Sequence, residues 1–120
     1  MSIVTIRNLS SLDSRTVQAE YCAKFFCRLR GLTFRRRLAS DTGLLMVYNR
    51  ESRLDVAIHM LWMWIDLAVV WIDDDRQVVD VRRAYRWRSF LIPQKKARYV
   101  LELPLESLTL FRIGDQLAID

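Results

Sequence analysis

The longest apolar stretch of the chain, residues 56–72, sets the first limit on the fold. It spans 17 residues and contains His59 and Asp66, whereas a helix that crosses a bilayer needs about 20 predominantly apolar residues. A charged residue in the middle of such a helix also costs about 3 kcal/mol on insertion. The stretch therefore predicts protein core rather than a membrane span. Its second half, Leu67–Ile72, has the Val, Ile, Leu and Trp content of a strand that is covered on both faces.

The composition supports one folded domain over residues 1–120. The chain is 52% apolar, with three Gly and two Pro, which excludes a disordered tail, a collagen-like repeat and a disulfide-rich miniprotein. Its net charge is +5, and arginine dominates the basic residues. Planar guanidinium groups suit carboxylates, phosphates and aromatic faces, so the charge directs attention to anionic partners.

The clearest helical pattern covers about residues 18–30. Gly31 follows directly, at the position where a left-handed residue often ends a helix. Four apolar side chains recur at the i, i+3, i+4 and i+7 spacing of one helix face. They are Cys22, Phe25, Phe26 and Leu29.

Most of the remaining sequence predicts strands. A turn at residues 73–76 joins two of them into a hairpin, and Gly114 begins a second tight turn. We therefore predict an α+β fold, with one main helix in the N-terminal half packed on a mostly antiparallel, strand-rich sheet that can curl toward a barrel. The predicted strands are an opening strand over residues 1–7, then 43–48, 67–72, 77–81, 98–103 and 116–119.

Cys22 and Cys27 are the two cysteines of the chain. On one helix they would lie about 140° apart around the axis, which excludes a disulfide between them. This spacing predicts two free thiols, which are typical of a reducing compartment. The N-terminal residues also lack the basic and apolar leader of a secretory signal. Together these features predict a cytoplasmic protein.

Several short segments occur in a recognisable order. They are Phe26-Cys27-Arg28-Leu29-Arg30-Gly31-Leu32, Ile58-His59, Met63, Trp71-Ile72-Asp73, Val78-Val79, Trp87-Arg88, Val100-Leu101-Glu102-Leu103-Pro104 and Gly114-Asp115-Gln116-Leu117. This set covers about residues 26–117 and resembles the domain of unknown function 192 family of small prokaryotic domains. The resemblance implies a compact, strand-rich α+β domain, and it implies no particular activity.

The sequence departs from the pattern of that family before the buried strand. Relatives usually read Phe-Pro-Ile-Asp there, and the Asp of that motif falls on Ala68 in this chain, while the Pro falls on Asp66. A shift of two residues keeps a carboxylate on the same face of an extended strand. Whether Asp66 replaces the family carboxylate is left open by the sequence.

A pocket for a small polar ligand is the first functional hypothesis. Its residues come from the family-like segments and combine a titratable imidazole, an aromatic ring, guanidinium groups and a carboxylate. The alternative is structural, with Glu102 in an ion pair with Arg88 or Arg30. We predict non-catalytic binding of a small polar ligand or a protein partner. The ligand-binding candidates are His59, Trp87, Arg88 and Glu102, followed by Arg28 and Arg30.

A metal site is a weaker hypothesis. His59 and Met63 share a face of an extended run, and an imidazole with thioethers suits Cu(I) better than zinc. Packing of Met60 and Met63 in the core explains the same residues. We therefore predict no metal and no cofactor, with His59 and Met63 as the candidates if a metal is bound.

Residues 82–98 carry the strongest charge feature, because they contain seven basic residues and no acidic one. Basic groups interleaved with exposed rings are typical of single-stranded nucleic-acid binding. The alternative is a solvated face in which Trp87 and Phe90 are buried and the arginines pair with residues 73–75 or with Asp80. The nucleic-acid candidates are Arg82, Arg83, Tyr85, Arg86, Lys95 and Lys96.

Catalysis is the third hypothesis, as an uncharacterised hydrolase that uses His59. An imidazole near its ordinary pKa is suited to general base work, but it needs a second group, which Asp66, Glu102 or a cysteine would supply. The chain has no nucleophile elbow, phosphate loop or dinucleotide-binding turn. The sequence therefore favours a protein that is not an enzyme.

Overall fold

The computed structural model describes residues 2–13, 15–33 and 35–120. Its backbone is a strand-rich, curled half-barrel sheet with few helical residues. In chain order the elements are β1 (Ile3–Asn8), β2 (Thr16–Cys22), α1 (Phe25–Arg30), β3 (Thr42–Ser52), β4 (Ile58–His59), β5 (Leu67–Ile72), β6 (Val78–Ala84), β7 (Phe90–Leu91), β8 (Ala97–Pro104), a 3-10 helix (Leu105–Leu110) and β9 (Leu117–Ile119).

The main sheet has seven strands in the order β6-β5-β8-β3-β2-β1-β9, and β4 pairs with β7 in a separate ribbon. Its neighbouring strands are antiparallel, except for the parallel pair of β2 and β3. The prediction of a mostly antiparallel sheet is therefore confirmed. The central strand β8 places Glu102 opposite Leu44 of β3 and Val69 of β5.

Both faces of the sheet are covered by apolar side chains, which explains the content of Leu67–Ile72. All six residues of β5 are buried. Val69 and Trp71 pack into a cluster on one face, whereas Val70 and Ile72 pack into a second cluster on the other. The Trp71 Nε1 donates a hydrogen bond of 2.8 Å to the carbonyl of Val56, so this fully buried ring has a partner for its polar atom.

The predicted strands over residues 43–48, 67–72, 77–81, 98–103 and 116–119 are confirmed, with shifted ends. The hairpin prediction is also confirmed, because β5 and β6 pair directly across the turn at residues 73–76. No helix within the described ranges is long and apolar enough to cross a membrane.

The prediction of one main helix over residues 18–30 is largely wrong. Residues 16–22 form β2, and the helix is limited to Phe25–Arg30. In β2, Val17 and Ala19 are buried in alternation with exposed or half-buried neighbours. Hydrogen bonding to β1 on one side and β3 on the other satisfies the backbone of β2 in the sheet, and this outweighs the helical spacing of the apolar residues.

Three of the four residues of the apolar stripe that predicted the long helix do not face the core, whereas Cys22 is buried at the end of β2. Phe25 is 64% exposed, Phe26 is 79% exposed and Leu29 is 63% exposed. None of the α1 side chains is buried. Phe25, Phe26 and Leu29 therefore form an exposed apolar surface on a short helix.

The prediction of two free thiols is wrong as well. Cys22 and Cys27 form a disulfide, with their Cα atoms 5.6 Å apart. Cys22 is the last residue of β2 and Cys27 lies in α1, so the two residues do not follow one helix and the angular argument does not apply. The thiol argument for a cytoplasmic location is removed with it.

Candidate functional site

An open cleft of about 610 Å³ lies between α1, the end of β3 and the segment that leads into β4. Its volume is in the range of small-molecule sites. Apolar side chains of α1 form one wall, and charged and polar side chains line the rest. The lining residues are Phe25, Arg28, Leu29, Tyr48, Asn49, Arg50, Asp55, Ala57 and His59.

A smaller inner cavity of about 60 Å³ lies against the same wall. Five residues line both spaces: Arg28, Leu29, Tyr48, Ala57 and His59. The inner cavity is additionally lined by a carboxylate, two thioethers and the backbone turn after α1. The residues that line the inner cavity but not the cleft are Arg30, Gly31, Leu32, Thr33, Met46, Ile58, Met63 and Glu102.

Glu102 is the most unusual residue of this site. Its side chain is 5% exposed, and its Oε1 has no hydrogen-bond partner among the residues that the structure describes. A Cβ built on Gly31 would lie 3.5 Å from that oxygen, so the turn after α1 closes over the carboxyl group. Burial raises the pKa of Glu102 to about 7, because a carboxylate removed from water without a partner is disfavoured in its charged form.

Arg28 connects α1 to the sheet. Its Nη1 donates a hydrogen bond of 3.1 Å to the carbonyl of Val47 and another to the carbonyl of Ala23. The guanidinium group also lies over the ring of Tyr48, 4.9 Å from its centre. These contacts hold a cation at the boundary between the cleft and the inner cavity.

Tyr48 responds to the charges around it. Its pKa is raised, first by burial, although the nearby Arg28 acts in the opposite direction, and Glu102 and Asp55 raise it further. The hydroxyl group therefore stays protonated in the neutral pH range, where it is able to donate and accept hydrogen bonds.

His59 lines both spaces, and its strand neighbour Ile58 points into the core. Met63 is buried and lines the inner cavity with His59, whereas Met60 is fully buried in the core. Within the described residues, no group of three or more His, Cys, Asp or Glu side chains is arranged to hold a metal ion. Any metal at this place would therefore depend on thioether ligands.

Four of the six predicted ligand-binding residues come together here: Arg28, Arg30, His59 and Glu102 all line the inner cavity. The predicted ion pair of Glu102 with Arg88 or Arg30 is absent among the described side chains. The sequence could not reveal this, because the surroundings of the Glu102 side chain depend on the two strands that flank β8, which are β3 and β5.

Trp87 and Arg88 lie elsewhere, on a surface that we call the aromatic surface and define by Trp62, Trp64, Tyr85 and Trp87. Trp87 packs edge to face against Trp62 at 5.3 Å and against Trp64 at 5.5 Å. The guanidinium group of Arg88 lies over the ring of Tyr85 at 5.3 Å. All four rings are between 39% and 54% exposed.

Ion pairs occupy much of the basic segment. Arg82 pairs with the buried Asp80 at 3.2 Å, and Lys96 pairs with Glu51 at 3.7 Å. The alternative interpretation, in which arginines of this segment pair with residues 73–75 or Asp80, is thus confirmed for Arg82 and for Arg98, which pairs with Asp74 at 3.1 Å. The accompanying prediction that Trp87 and Phe90 are buried is wrong, because Phe90 is 66% exposed and Trp87 is 39% exposed.

Asp66 holds the turn that carries Trp87. Its carboxylate accepts a hydrogen bond of 2.8 Å from the backbone N–H of Arg86 and one of 2.7 Å from the Arg83 side chain. The pKa of Asp66 is lowered, first by the Arg86 N–H and then by the Arg83 side chain. This carboxylate therefore positions the turn of the aromatic surface and does not line the cleft.

Only Arg28 and His59 of the nine cleft-lining residues were candidates from the sequence, and the missed residues include the titratable or charged Tyr48, Arg50 and Asp55. They flank a polar segment that has no resemblance to a binding motif. The available signal was the change of character along β3, in which the buried run ends at Val47 and polar residues follow the half-buried Tyr48. That pattern marks the end of the core and not, by itself, a site.

Comparison with known proteins places this architecture in one group. The model of the domain of unknown function 192 family, described as an uncharacterised ACR, matches residues 7–119. A UPF0127 protein of Thermococcus gammatolerans is 40% identical over 86 residues, which cover 72% of this chain and 54% of that protein. A UPF0127 protein of Pyrococcus furiosus is 29% identical over 104 residues, which cover 84% of this chain and 85% of that protein.

Two solved structures share the fold. A Sinorhizobium meliloti protein, described as a candidate transcription regulator, superposes with a TM-score of 0.85 at 21% identity, covering 98% of this chain and 92% of that one. A Novosphingobium aromaticivorans protein of unknown function superposes with a TM-score of 0.79 at 20% identity, covering 97% of this chain and 83% of that one. The matched region spans about half the length of the first Thermococcus relative. The family match over residues 7–119 shows that this chain belongs to the domain of unknown function 192 family.

Proposed function

We propose that this domain binds a small polar ligand in the cleft without turning it over. The observation that carries the proposal is the buried Glu102 oxygen, which has no partner among the described residues and lines a cavity next to the cleft. An unpaired buried polar atom costs about 1–3 kcal/mol, and a bound ligand would remove that cost. Structural burial alone does not explain why a carboxylate occupies this place.

The rim of the cleft supplies groups for an anionic part of the ligand. Arg28 and Arg50 carry planar guanidinium groups, and His59 adds an imidazole. One carboxylate, Asp55, lies among them and contacts Arg50 at 4.0 Å. The arginines exceed the carboxylates at the rim, so an anion is the favoured partner there.

Native mass spectrometry of untagged protein, purified gently at low salt, tests this proposal. We expect a small organic adduct on the wild-type protein and little or none on the double variant Arg50→Ala/His59→Ala, because the loss of two charged hydrogen bonds at about 1.5–3 kcal/mol each weakens binding at least about a hundredfold. Arg112→Ala is the matched control, since Arg112 is exposed and does not line the cleft. A bare wild-type mass, together with no thermal shift from a metabolite library, would contradict the proposal.

Hydrolysis with His59 as the base has less support. The two cysteines are bonded to each other, so neither supplies a thiolate nucleophile. Asp66 is engaged by Arg83 and Arg86. Glu102 is the remaining candidate for the second group, since it lines the inner cavity together with His59. A hydrolase would lose its activity on His59→Ala, whereas binding would only weaken.

Single-stranded nucleic acid at the aromatic surface is a second candidate function, and a specific observation favours it. Trp62 and Trp87 have positive φ angles of 66° and 65°, which are rare for bulky residues and concentrate at functional sites. Arg36 lies over Trp64 at 4.9 Å, so cations adjoin the exposed rings. The likeness to the candidate transcription regulator is in line with this candidate, although at 21% identity it shows the fold alone.

Fluorescence anisotropy with a short labelled oligothymidylate tests the second candidate. Stacking on an exposed ring contributes about 1–3 kcal/mol per base, so Trp64→Ala should weaken binding by about tenfold. Affinity should also fall steeply between about 50 and about 200 mM salt. Phe26→Ala is the control, because Phe26 is exposed on α1 and lies outside the aromatic surface. An absence of binding at low salt would eliminate this candidate.

A further inference from the structure

We propose that the ligand of the cleft is a zwitterion of the amino-acid class, whose anionic group binds at the arginine rim and whose ammonium group enters the inner cavity to meet Glu102. This inference rests on the proposed binding function and specifies the chemistry of its ligand. It follows from the unpartnered carboxyl oxygen in the inner cavity and from the guanidinium groups at the rim of the cleft, two spaces that share five lining residues.

The carboxyl group in the inner cavity requires a hydrogen-bond donor. Glu102 supplies the only carboxylate among the described residues that line the inner cavity. Its Oε1 receives no hydrogen bond from any of the described residues. A carboxylate accepts hydrogen bonds at both oxygens, and an ammonium group provides three donors together with the compensating charge. A ligand with an ammonium group therefore supplies what the protein leaves out.

The guanidinium groups at the rim of the cleft require a hydrogen-bond acceptor. Arg28 commits its Nη1 to the carbonyl groups of Ala23 and Val47, while a guanidinium group has five N–H donors in all. The guanidinium group of Arg50 is largely exposed in the cleft. Fork-shaped donors match the geometry of a carboxylate. The anionic group of the ligand is therefore expected at this rim, next to Tyr48.

The sizes of the two spaces determine the orientation of the ligand. The inner cavity, at about 60 Å³, has room for an ammonium group and its α-carbon but not for a bulky side chain. The cleft, at about 610 Å³, has room for the remainder. Phe25 and Leu29 form an apolar wall there, so amino acids with apolar side chains of moderate size fit best.

The protonation of Glu102 provides an independent consequence. The raised pKa means that the empty site holds this carboxyl partly protonated near pH 7. An ammonium ligand favours the ionised form, so its affinity should rise as the pH increases through this range. The other titratable or charged groups that line the inner cavity are Arg28, Arg30, Tyr48 and His59.

Calorimetry with ligand analogues tests the inference on the wild-type protein. The standard L-amino acids are measured first, and the amine and carboxylic acid analogues of the best ligand follow; for leucine these are 3-methylbutylamine and 4-methylpentanoate. We expect each analogue to bind at least about tenfold more weakly than the amino acid, because each lacks one charged contact. In Glu102→Gln, leucine and 4-methylpentanoate should bind with similar affinity.

The outcomes separate this inference from the binding function itself. An anion without an amine that binds as tightly as any amino acid, with no response to Glu102→Gln, would overturn the zwitterion and leave the binding function intact. No binding by any amino acid would also overturn it, whatever adduct the native protein carries. A bare protein that binds no metabolite would overturn both.

Discussion

Between about pH 4.5 and about pH 8, the unfolding free energy of the wild-type protein should fall by about 3 kcal/mol more than that of the Glu102→Gln variant. In the ligand-free protein, burial raises the pKa of Glu102 from its ordinary value of 4.5 to about 7. Each pKa unit corresponds to about 1.4 kcal/mol of differential stability. The amide has no titration in this range, so the variant loses this contribution.

The sign of the effect follows from proton binding. Below about pH 4.5 the carboxyl group is protonated in both the folded and the unfolded protein, and burial of its charge costs nothing. As the pH rises toward about 7, the unfolded chain ionises while the folded protein retains the proton, so stability decreases. Above about pH 7 the full cost is present. Wild-type protein should therefore lose stability with rising pH from this group.

Urea unfolding of the wild type and the variant at the two pH values measures this difference. The quantity compared is the change in unfolding free energy between the two pH values, so any constant cost of burying the amide cancels. Glu106→Gln is the matched control, because Glu106 is exposed and accepts a hydrogen bond of 2.8 Å from the Ser40 hydroxyl group. Equal pH dependence in wild type and Glu102→Gln would show that Glu102 is partnered in the folded protein. It would also remove the main support for the cleft as a binding site.

Reduction of the Cys22–Cys27 disulfide should lower the unfolding free energy by about 2 kcal/mol, as expected for a bond that closes a short loop. The effect should be concentrated in α1, because none of its side chains is buried and few other contacts hold it. Arg28 provides two hydrogen bonds and its stacking on Tyr48. We expect residues 24–31 to exchange their amide hydrogens faster after reduction, while β5 and β8 remain protected.

Hydrogen exchange with mass spectrometric detection, with and without a phosphine reductant, measures this local release. Cys27→Ala is the control, since the reductant should change nothing in a chain that lacks the bond. Urea unfolding of the oxidised and reduced wild type gives the accompanying change in stability. Unchanged protection of α1 after complete reduction would mean that packing against β3, and not the disulfide, holds the helix.

The two experiments probe opposite walls of one site. α1 contributes Phe25, Arg28 and Leu29 to the cleft, and β8 contributes Glu102 to the inner cavity beneath it. Release of α1 should therefore weaken ligand binding without altering the central sheet. Loss of the Glu102 charge should change ligand preference without releasing α1. This contrast distinguishes a damaged site from an altered one.

Elements with a strong local pattern could be predicted from the sequence. The β-branched and aromatic content of Leu67–Ile72 indicated a doubly covered strand, and all six residues are buried. The turn at residues 73–76 identified the β5–β6 hairpin. The prediction of a helix over all of residues 18–30 was wrong, because the apolar side chains of this region also satisfied a helical spacing. The first half of the region forms β2 because it pairs with β1 on one side and with β3 on the other.

The candidate site shows the same division. The family-like segments identified Arg28, Arg30, His59 and Glu102 as candidates, and all four line one cavity. The same reasoning included Trp87 and Arg88, which lie on the aromatic surface. Order along the chain does not report distance in space, so residues of equal prominence in the sequence can belong to different surfaces.

The sequence by itself determined the buried strands, the β5–β6 hairpin and the family, because these depend on residue content, on local motifs and on contacts between near neighbours. Only the tertiary structure decided the extent of α1, the Cys22–Cys27 bond and the isolation of Glu102. Each of these depends on strands that are distant in sequence. Glu102 lies between β3 and β5, and whether a buried carboxyl group finds a partner is fixed by which side chains those strands bring to it.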